Sequence, residues 1–257
     1  MNNYLSSSSL KAQARGQLLG KYRIVVCITL LHLICTVPFL LAISALIGGG
    51  FFSMVILNSA ASFLFQLFAG FFTAGEAYVY LKVACNQTPA IEDLFHCFRD
   101  DSQKVIRIQA VLAAISVISS LPAVIVSYFM SRSFLAILLN ASSGNYGTNS
   151  ALLVLAYVVF YLLGTVIDIF AKLFFSQAYY LMLDFPEYSV SRLLKTSVQL
   201  MKGSKGRLFY VELSFIPLYL LAGVSFGIGF LWLIPYMEAV LANFYLDLIK
   251  KRQEPSN

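Results

Sequence analysis

Long apolar stretches alternate with short polar stretches along this chain, and the apolar ones have the length of helices that cross a bilayer. One span requires about 20 apolar residues, because the hydrocarbon core of a bilayer is about 30 Å thick. The pattern predicts about six spans in three pairs, and therefore an all-α, polytopic membrane protein. The pairs occupy residues 24–83, 105–183 and 208–249, with single spans at residues 24–47, 60–81, 105–130, 151–183, 208–224 and 230–249.

Amphipathic patterns fill the polar stretches that precede the odd-numbered spans. Apolar residues recur there three or four positions apart, as on one face of a helix. We expect a cytoplasmic segment at residues 1–23 whose apolar face rests on the membrane surface, cytoplasmic amphipathic helices within residues 84–104 and 184–207, and a cytoplasmic tail at residues 250–257. The three faces consist of Leu10, Ala14 and Leu18, of Ile91, Leu94, Phe95 and Phe98, and of Val190, Leu193, Leu194, Val198 and Met201.

Individual residues refine these boundaries. Thr88 and Pro89 suit the N-cap and the first position of the second amphipathic helix. The fourth span keeps a helical pattern as far as Leu183, which is longer than a bilayer requires, so we expect it to tilt or to project into the cytoplasm. Pro38 and Pro122 lie inside predicted spans and are expected to kink them.

The three pairs of spans look like copies of one unit. Each pair follows a stretch that runs from an amphipathic face through basic residues into the membrane, as in QLLGKYRIVV, FRDDSQKVIRI and QLMKGSKGRLFYV. We therefore predict three parallel repeats of a surface helix plus a helical hairpin, related by an axis along the membrane normal. The alternative is that any span with basic flanks has this appearance.

Composition supports the membrane interpretation. The chain has 257 residues, of which 59% are hydrophobic and 12% charged, and its mean hydropathy is +0.79. Soluble domains carry about 25% charged residues and about 45–50% apolar ones. We expect one membrane domain over residues 1–257, for which the lipid bilayer is the solvent.

The distribution of basic residues predicts the topology. Lys and Arg accumulate beside the ends of spans that face the cytoplasm. Only Arg132 is placed on the opposite side of the predicted topology, and Lys172 lies within span four, whereas every other Lys and Arg lies on one side. Both termini are therefore predicted in the cytoplasm, with the protein in the plasma membrane. The net charge of +6 is explained in this way, and no nucleic-acid partner is expected.

The last third of the chain contains the pattern LMKG-x-K before a span, followed by GIG-x-LW-x-IPY and A-x-FY-x-DL. It resembles a bacterial membrane family catalogued as domain of unknown function 975. The resemblance implies a multi-span protein of bacterial cell membranes, and it implies no activity. The matching residues are Leu200–Gly203, Lys205, Gly227–Gly229, Leu231, Trp232, Ile234–Tyr236, Ala242, Phe244, Tyr245, Asp247 and Leu248.

Recognisable catalytic motifs are missing, so we expect no enzyme and no cofactor. Residues 223–227 match the letters G-x-S-x-G, but they form a predicted turn between two spans and not the strand-to-helix turn that a nucleophilic Ser225 would need. The two histidines, His32 and His96, belong to no metal-binding pattern. The four cysteines form no C-x-x-C pair, so neither a disulfide framework nor a zinc site is expected.

Ionisable residues inside the predicted spans are the candidate polar site. A charged side chain at the centre of a span costs about 2.5–3.5 kcal/mol on insertion scales, so it usually has a partner or a role. Glu238 lies midway along span six, Asp168 and Lys172 are spaced to pair on one face of span four, and Glu76 has no obvious partner. Glu238 is either part of an ion or proton site or a residue that stabilises the packing of the helices.

Basic residues around the third amphipathic helix are the candidate contacts for anionic lipid. We expect a non-enzymatic membrane module that interacts with lipid, with a protein partner or with further copies of itself. A transporter of a small ion or solute is the alternative, and an intramembrane enzyme is a weaker third. The candidate lipid contacts are Arg192, Lys195, Lys202, Lys205 and Arg207.

Overall fold

The architecture is that of a helical protein. The computed structural model describes residues 4–45, 53–139 and 149–253, and the side chains of residues 4–42, 55–129 and 152–252. Throughout these ranges the chain forms helices and turns and no strand, so the all-α prediction is confirmed. The predicted end of the first span, the centre of the connection between spans three and four and the last residues of the tail lie outside the described residues.

The described helices are numbered here in chain order. A π-helical turn at Ser53–Leu57 precedes α3, and a 3₁₀ helix at Ile91–Phe95 precedes α4. The α-helices are α1 Ser7–Leu18, α2 Tyr22–Ala45, α3 Asn58–Ala84, α4 His96–Arg99, α5 Ser102–Leu139, α6 Asn149–Phe175, α7 Ala178–Asp184, α8 Val190–Leu200, α9 Lys205–Leu213, α10 Ile216–Val224 and α11 Phe230–Gln253.

Five stretches of the described chain are long and apolar enough to cross a membrane. Helix α11 is not one of them, and polar residues such as Glu238, Asn243 and Asp247 interrupt its apolar ones. A sixth span and the internal repeat both stay predictions. The five stretches are Tyr22–Ala42, Val55–Ala84, Ser102–Phe129, Leu152–Asp184 and Lys205–Val224.

Two of the predicted spans are interrupted in the structure. The fourth does not continue as one helix to Leu183, because α6 ends at Phe175 and α7 begins at Ala178. The fifth divides into α9 and α10, with Pro217 in the first turn of α10. Proline has no backbone N–H, so the carbonyl four residues earlier, at Leu213, has no helical donor there.

The N-terminal helix has a different environment from the one expected. Leu10, Ala14 and Leu18 are fully buried, and α1 packs along α11. This apolar face therefore contacts protein, and the expectation that it rests on the membrane surface is wrong. The Gln17 side-chain amide donates to Asn243 Oδ1 over 3.2 Å, which pairs a polar residue of α1 with a buried one of α11.

The second amphipathic segment forms a short 3₁₀ helix instead of a longer α-helix. Its N-cap is Ala90 and not Thr88, and the Asp93 carboxylate accepts hydrogen bonds from the Ala90 N–H and from Lys82 Nζ, each over 2.7 Å. Leu94 is fully buried, and its carbonyl lies so close to Gly75 of α3 that a Cβ there would be 1.9 Å from the oxygen. The tertiary contact with α3 thus determines the local conformation.

The chain forms two compact units. The first comprises Met1–Val37, Phe68–Ile108 and Leu173–Asn257, and its buried side chains include Tyr80, Phe244 and Tyr245. It holds α1, α7, α8 and α11, so most of the polar contacts below belong to it.

The second unit comprises Pro38–Leu67 and Gln109–Lys172. Within it α5 and α6 approach closely at Gly164, where a Cβ would lie 2.9 Å from the Ser119 carbonyl oxygen. Small residues permit such close contacts between helices in membranes.

Candidate functional site: a basic groove beside an apolar groove

Helix α8 carries the most distinctive surface of the first unit. The Ser189 hydroxyl caps its N-terminus by accepting the Arg192 N–H over 3.4 Å. Its inner face is buried at Leu193, Ser197 and Leu200. Ser197 Oγ donates to the Phe174 carbonyl over 2.9 Å, so this face is fixed by packing and by a hydrogen bond.

The outer face of α8 is a polar ridge with a groove on each side. Ser191, Lys195 and Gln199 are spaced four residues apart and line both grooves, so they form the ridge. Arg192 and Thr196 face one groove, whereas Leu194 and Val198 face the other. The apolar face predicted for this helix therefore serves two purposes, because Leu193 packs inside while its neighbour Leu194 lines a groove.

The first groove, called the basic groove below, has a volume of about 650 Å³. Three cationic side chains converge on it, two from α8 and one from the end of α11, and hydroxyl groups lie beside them. Its lining residues are Leu181, Phe185, Tyr188, Ser189, Ser191, Arg192, Lys195, Thr196, Gln199, Ile249 and Arg252.

The cationic side chains of the basic groove form no ion pair within the described part of the chain. None of the ion pairs formed by the described residues uses Arg192, Lys195 or Arg252. The Arg192 guanidinium instead lies 3.8 Å from the centre of the Tyr188 ring, and that ring stacks on Phe185. A stacked guanidinium keeps its N–H groups free for a carboxylate or a phosphate.

The second groove, called the apolar groove below, has a volume of about 440 Å³. Carbon atoms dominate its lining, to which Phe175 at the end of α6 contributes beside the side chains of α8. The lining residues are Phe175, Ser191, Leu194, Lys195, Val198 and Gln199.

The other predicted lipid contacts have different environments. Lys202 is exposed beyond the end of α8. Lys205 Nζ lies 3.4 Å from the centre of the Phe174 ring. Arg207 is committed to the interior, where it pairs with the buried Asp247 and donates to the Leu5 carbonyl over 2.9 Å. Arg207 is thus not available to a lipid, because Asp247 is its ion-pair partner.

The intramembrane pair expected on α6 is replaced by contacts to α5. The Asp168 carboxylate accepts hydrogen bonds from Ser119 Oγ over 3.0 Å and from Ser116 Oγ over 3.5 Å. Lys172 is exposed and belongs to none of the ion pairs of the described residues. The close approach at Gly164 brings Ser119 within reach of Asp168, one turn further along α6.

Glu76 has a partner that the sequence did not indicate. Its Oε1 lies 2.9 Å from Nδ1 of His32 on α2, and the imidazole stacks on Phe72 with ring centres 5.3 Å apart. The contact has ion-pair distance without the alignment of a hydrogen bond, and the buried Tyr80 side chain lies one turn further along α3. Sequence could place both residues inside spans but could not provide the register between the two helices.

Glu238 belongs to the same neighbourhood. It is partly buried on α11, and it acts electrostatically on the phenols of Tyr80 and Tyr180, as Glu76 does. The first unit therefore brings two of the predicted intramembrane carboxylates near each other. Asp168 and Lys172 belong to the second unit and are described separately.

The described residues offer little support for a metal site or for a catalytic nucleophile. No group of three or more His, Cys, Asp or Glu is arranged to hold a metal ion there. Burial raises the pKa of the Cys97 thiol to about 12, assisted by Asp101 and Asp100, which disfavours the reactive thiolate. Ser225 Oγ donates to the Ala222 carbonyl over 2.7 Å and accepts the Gly229 N–H over 2.9 Å, so it stabilises a turn.

Comparison with known proteins agrees with the resemblance noted from the sequence. A family model described as Protein of unknown function (DUF975) matches residues 1–252, which include both grooves and the intramembrane carboxylates. No curated protein and no solved structure matches the chain.

Proposed function

Because the chain belongs to the family of proteins of unknown function DUF975, whose description states no activity, we propose a function from the geometry of its grooves. The protein is a non-enzymatic membrane module that binds anionic lipid headgroups through the basic groove. Its further partners are a second copy of the chain or another membrane protein.

One observation carries this proposal. The basic groove collects Arg192, Lys195 and Arg252, which have no carboxylate partner among the described residues, next to helices long enough to cross a bilayer. Each Lys or Arg near an anionic membrane surface contributes about 1 kcal/mol of attraction. Serine and threonine hydroxyls in the same groove add donors for phosphate oxygens.

The proposal requires that the basic groove faces the cytoplasmic leaflet. A contact within the first unit supports this orientation. Arg207, before α10, contacts both Asp247, near the end of α11, and the Leu5 carbonyl, near the N-terminus. Segments that touch lie at the same depth, which favours both termini on one side of the membrane. With the excess of basic residues on that side, we place both termini and the groove at the cytoplasmic leaflet of the plasma membrane.

The test compares lipid retention by the parent protein and by groove variants. The full-length protein is reconstituted in nanodiscs that contain phosphatidylglycerol and phosphatidylcholine, and native mass spectrometry counts the lipids and protein copies that remain bound. We expect retained phosphatidylglycerol in the parent and its loss when Arg192, Lys195 and Arg252 are all changed to Gln. Lys172→Gln is the matched control, because Lys172 is exposed outside the groove. Equal retention by the triple variant would refute the proposal.

A second candidate function has one specific observation in its favour. His32 and Glu76 form a contact of 2.9 Å inside the predicted spans, with Glu238 in the same neighbourhood, and ionisable groups inside a membrane often mark an ion or proton path. Under this hypothesis the protein transports a small cation. Proton and sodium fluxes into proteoliposomes would then fall in Glu76→Gln and Glu238→Gln and persist in Glu92→Gln, an exposed site outside the spans. No flux with the parent would exclude it.

A further inference from the structure

The two grooves beside α8 are close enough to be occupied by one ligand. They share the ridge formed by Ser191, Lys195 and Gln199, so nothing wider than one helix face separates them. The basic groove provides cationic side chains and hydroxyl groups, and the apolar groove provides hydrocarbon surface. The chemistry changes from polar to apolar across the width of a single helix.

The apolar groove suits a hydrocarbon chain. Phe175, Leu194 and Val198 supply its apolar walls, and its volume of about 440 Å³ lies within the range of about 300–1,000 Å³ that is usual for small-molecule sites. Leu194 and Val198 are each only partly buried, so a ligand would cover surface that the protein leaves open. Burial of apolar surface is the main favourable term in binding a hydrocarbon chain.

Lys195 connects the two environments. It lines both grooves, is exposed, and has no ion-pair partner among the described residues. A lysine side chain can lay its methylene groups along apolar surface while its ammonium reaches a polar group. This arrangement fits a ligand whose charged group and hydrocarbon chain are joined at a short linker.

We propose that the basic and apolar grooves form one binding site for an anionic phospholipid, with the phosphate in the basic groove and one acyl chain in the apolar groove. The inference rests on the proposed function and deepens it, because it names the ligand class and adds a subsite. A soluble phosphate ester would occupy the basic groove alone. The apolar groove is the feature that selects the lipid over such an anion.

The experiment measures the binding of two probes to the full-length protein in a neutral detergent. Phosphatidylglycerol carries both the phosphate and the acyl chains, and glycerol phosphate carries the phosphate without a chain. Native mass spectrometry titrations give the affinity for each probe. We expect the parent to bind phosphatidylglycerol at least about tenfold more tightly than glycerol phosphate, since a tenfold ratio corresponds to only about 1.4 kcal/mol.

The variants separate the two subsites. Leu194→Ser combined with Val198→Thr replaces apolar side chains of the apolar groove with polar ones, and we expect about a tenfold loss of phosphatidylglycerol affinity with glycerol phosphate binding unchanged. Leu183→Ser, at a partly buried position of α7 that lines neither groove, is the matched control. Thermal unfolding of each variant identifies any that fail to fold, and Leu194→Ala then replaces the double change.

The outcomes distinguish this inference from the proposed function. If the double variant binds phosphatidylglycerol as the parent does, the acyl-chain subsite is wrong while the basic groove stands. If Arg192→Gln with Lys195→Gln binds both probes as the parent does, the basic groove itself is wrong and the phospholipid site fails with it. If the parent binds the two probes equally tightly, the groove recognises a free anion and the inference is overturned.

Discussion

The contact between Gly75 and Leu94 gives the sharpest stability prediction. A Cβ at position 75 would lie 1.9 Å from the Leu94 carbonyl oxygen and 2.7 Å from its carbonyl carbon, distances that real Cβ atoms do not show. We predict that Gly75→Ala separates the 3₁₀ segment from α3 and exposes Cys97, which is fully buried just beyond that segment.

The magnitude follows from the geometry of this contact. The carbonyl would have to move by about 1.5 Å to reach the ordinary contact distance of 3.4 Å. It belongs to the backbone of a segment held by the bonds from Lys82 and Ala90 to the Asp93 carboxylate, so it cannot rotate away as a flexible side chain can. Overpacking costs about 1–3 kcal/mol. We take the upper end, about 3 kcal/mol, which makes opening of the segment about a hundredfold more frequent.

Alkylation of Cys97 measures this opening. In a variant where Cys27, Cys35 and Cys85 are changed to Ser, Cys97 is the only remaining thiol, and its rate of modification by a maleimide reports exposure of the segment. We expect slow modification in this parent and about a hundredfold faster modification after Gly75→Ala, with a lower melting temperature in the same detergent.

A matched glycine separates this steric effect from a general effect of substitution. Gly16 lies in α1 with open space where a Cβ would be, so Gly16→Ala should leave Cys97 protected and should stabilise the helix by about 0.5–1 kcal/mol. Unchanged protection of Cys97 in Gly75→Ala would refute the reasoning, because the close approach could then relax at no cost.

Three further predictions test the polar contacts. Asp247→Asn leaves the partly buried Arg207 without its counter-ion and should lower the free energy of unfolding by about 3 kcal/mol, with earlier proteolysis of the N-terminal helix as the second readout. An unchanged melting curve would show that the pair contributes nothing. Ser119→Ala removes the 3.0 Å hydrogen bond to Asp168 and should cost about 1 kcal/mol, measured by thermal unfolding, and a second substitution Asp168→Asn should then cost less than it does alone. In the folded protein, formation of the Cys97 thiolate, followed by its ultraviolet absorbance in the single-cysteine variant, should require a pH well above 9, since burial raises the pKa of this thiol to about 12 from an ordinary value of 9.0; thiolate formation in the folded protein near pH 9 would contradict the burial.

Helices that form because of the residue pattern within a single segment could be predicted from the sequence. The apolar runs predicted the five stretches that are long and apolar enough to cross a membrane. The spacing of Leu193, Leu194 and Val198 predicted an amphipathic helix at α8, but of these three only Leu193 belongs to its buried face. These features depend on composition and helical period within one segment. The breaks between α6 and α7 and between α9 and α10 were harder to predict, because an apolar run continues through each of them.

Contacts between segments far apart in sequence could not be predicted. The face of α1 looked like a membrane-surface face because nothing in residues 1–23 shows that α11 covers it. Asp168 has a basic residue one turn away on its own helix, yet it accepts hydrogen bonds from α5 because Gly164 brings the two helices together. The His32–Glu76 contact likewise depends on how α2 and α3 align.

The burial of each basic side chain determines its role more than its position in the charge pattern. Arg207 and Arg192 both looked like lipid contacts, but Arg207 has a carboxylate in the interior and Arg192 has only an aromatic ring beside it. The two roles are connected through α11. Asp247 holds the end of that helix to Arg207 and to the Leu5 N–H, and Arg252 projects into the basic groove little more than one turn later. The ion pair therefore holds the part of α11 that leads into this wall of the groove. Under the proposed function, Asp247→Asn should weaken the retention of phosphatidylglycerol in nanodiscs, although neither Arg207 nor Asp247 lines the groove.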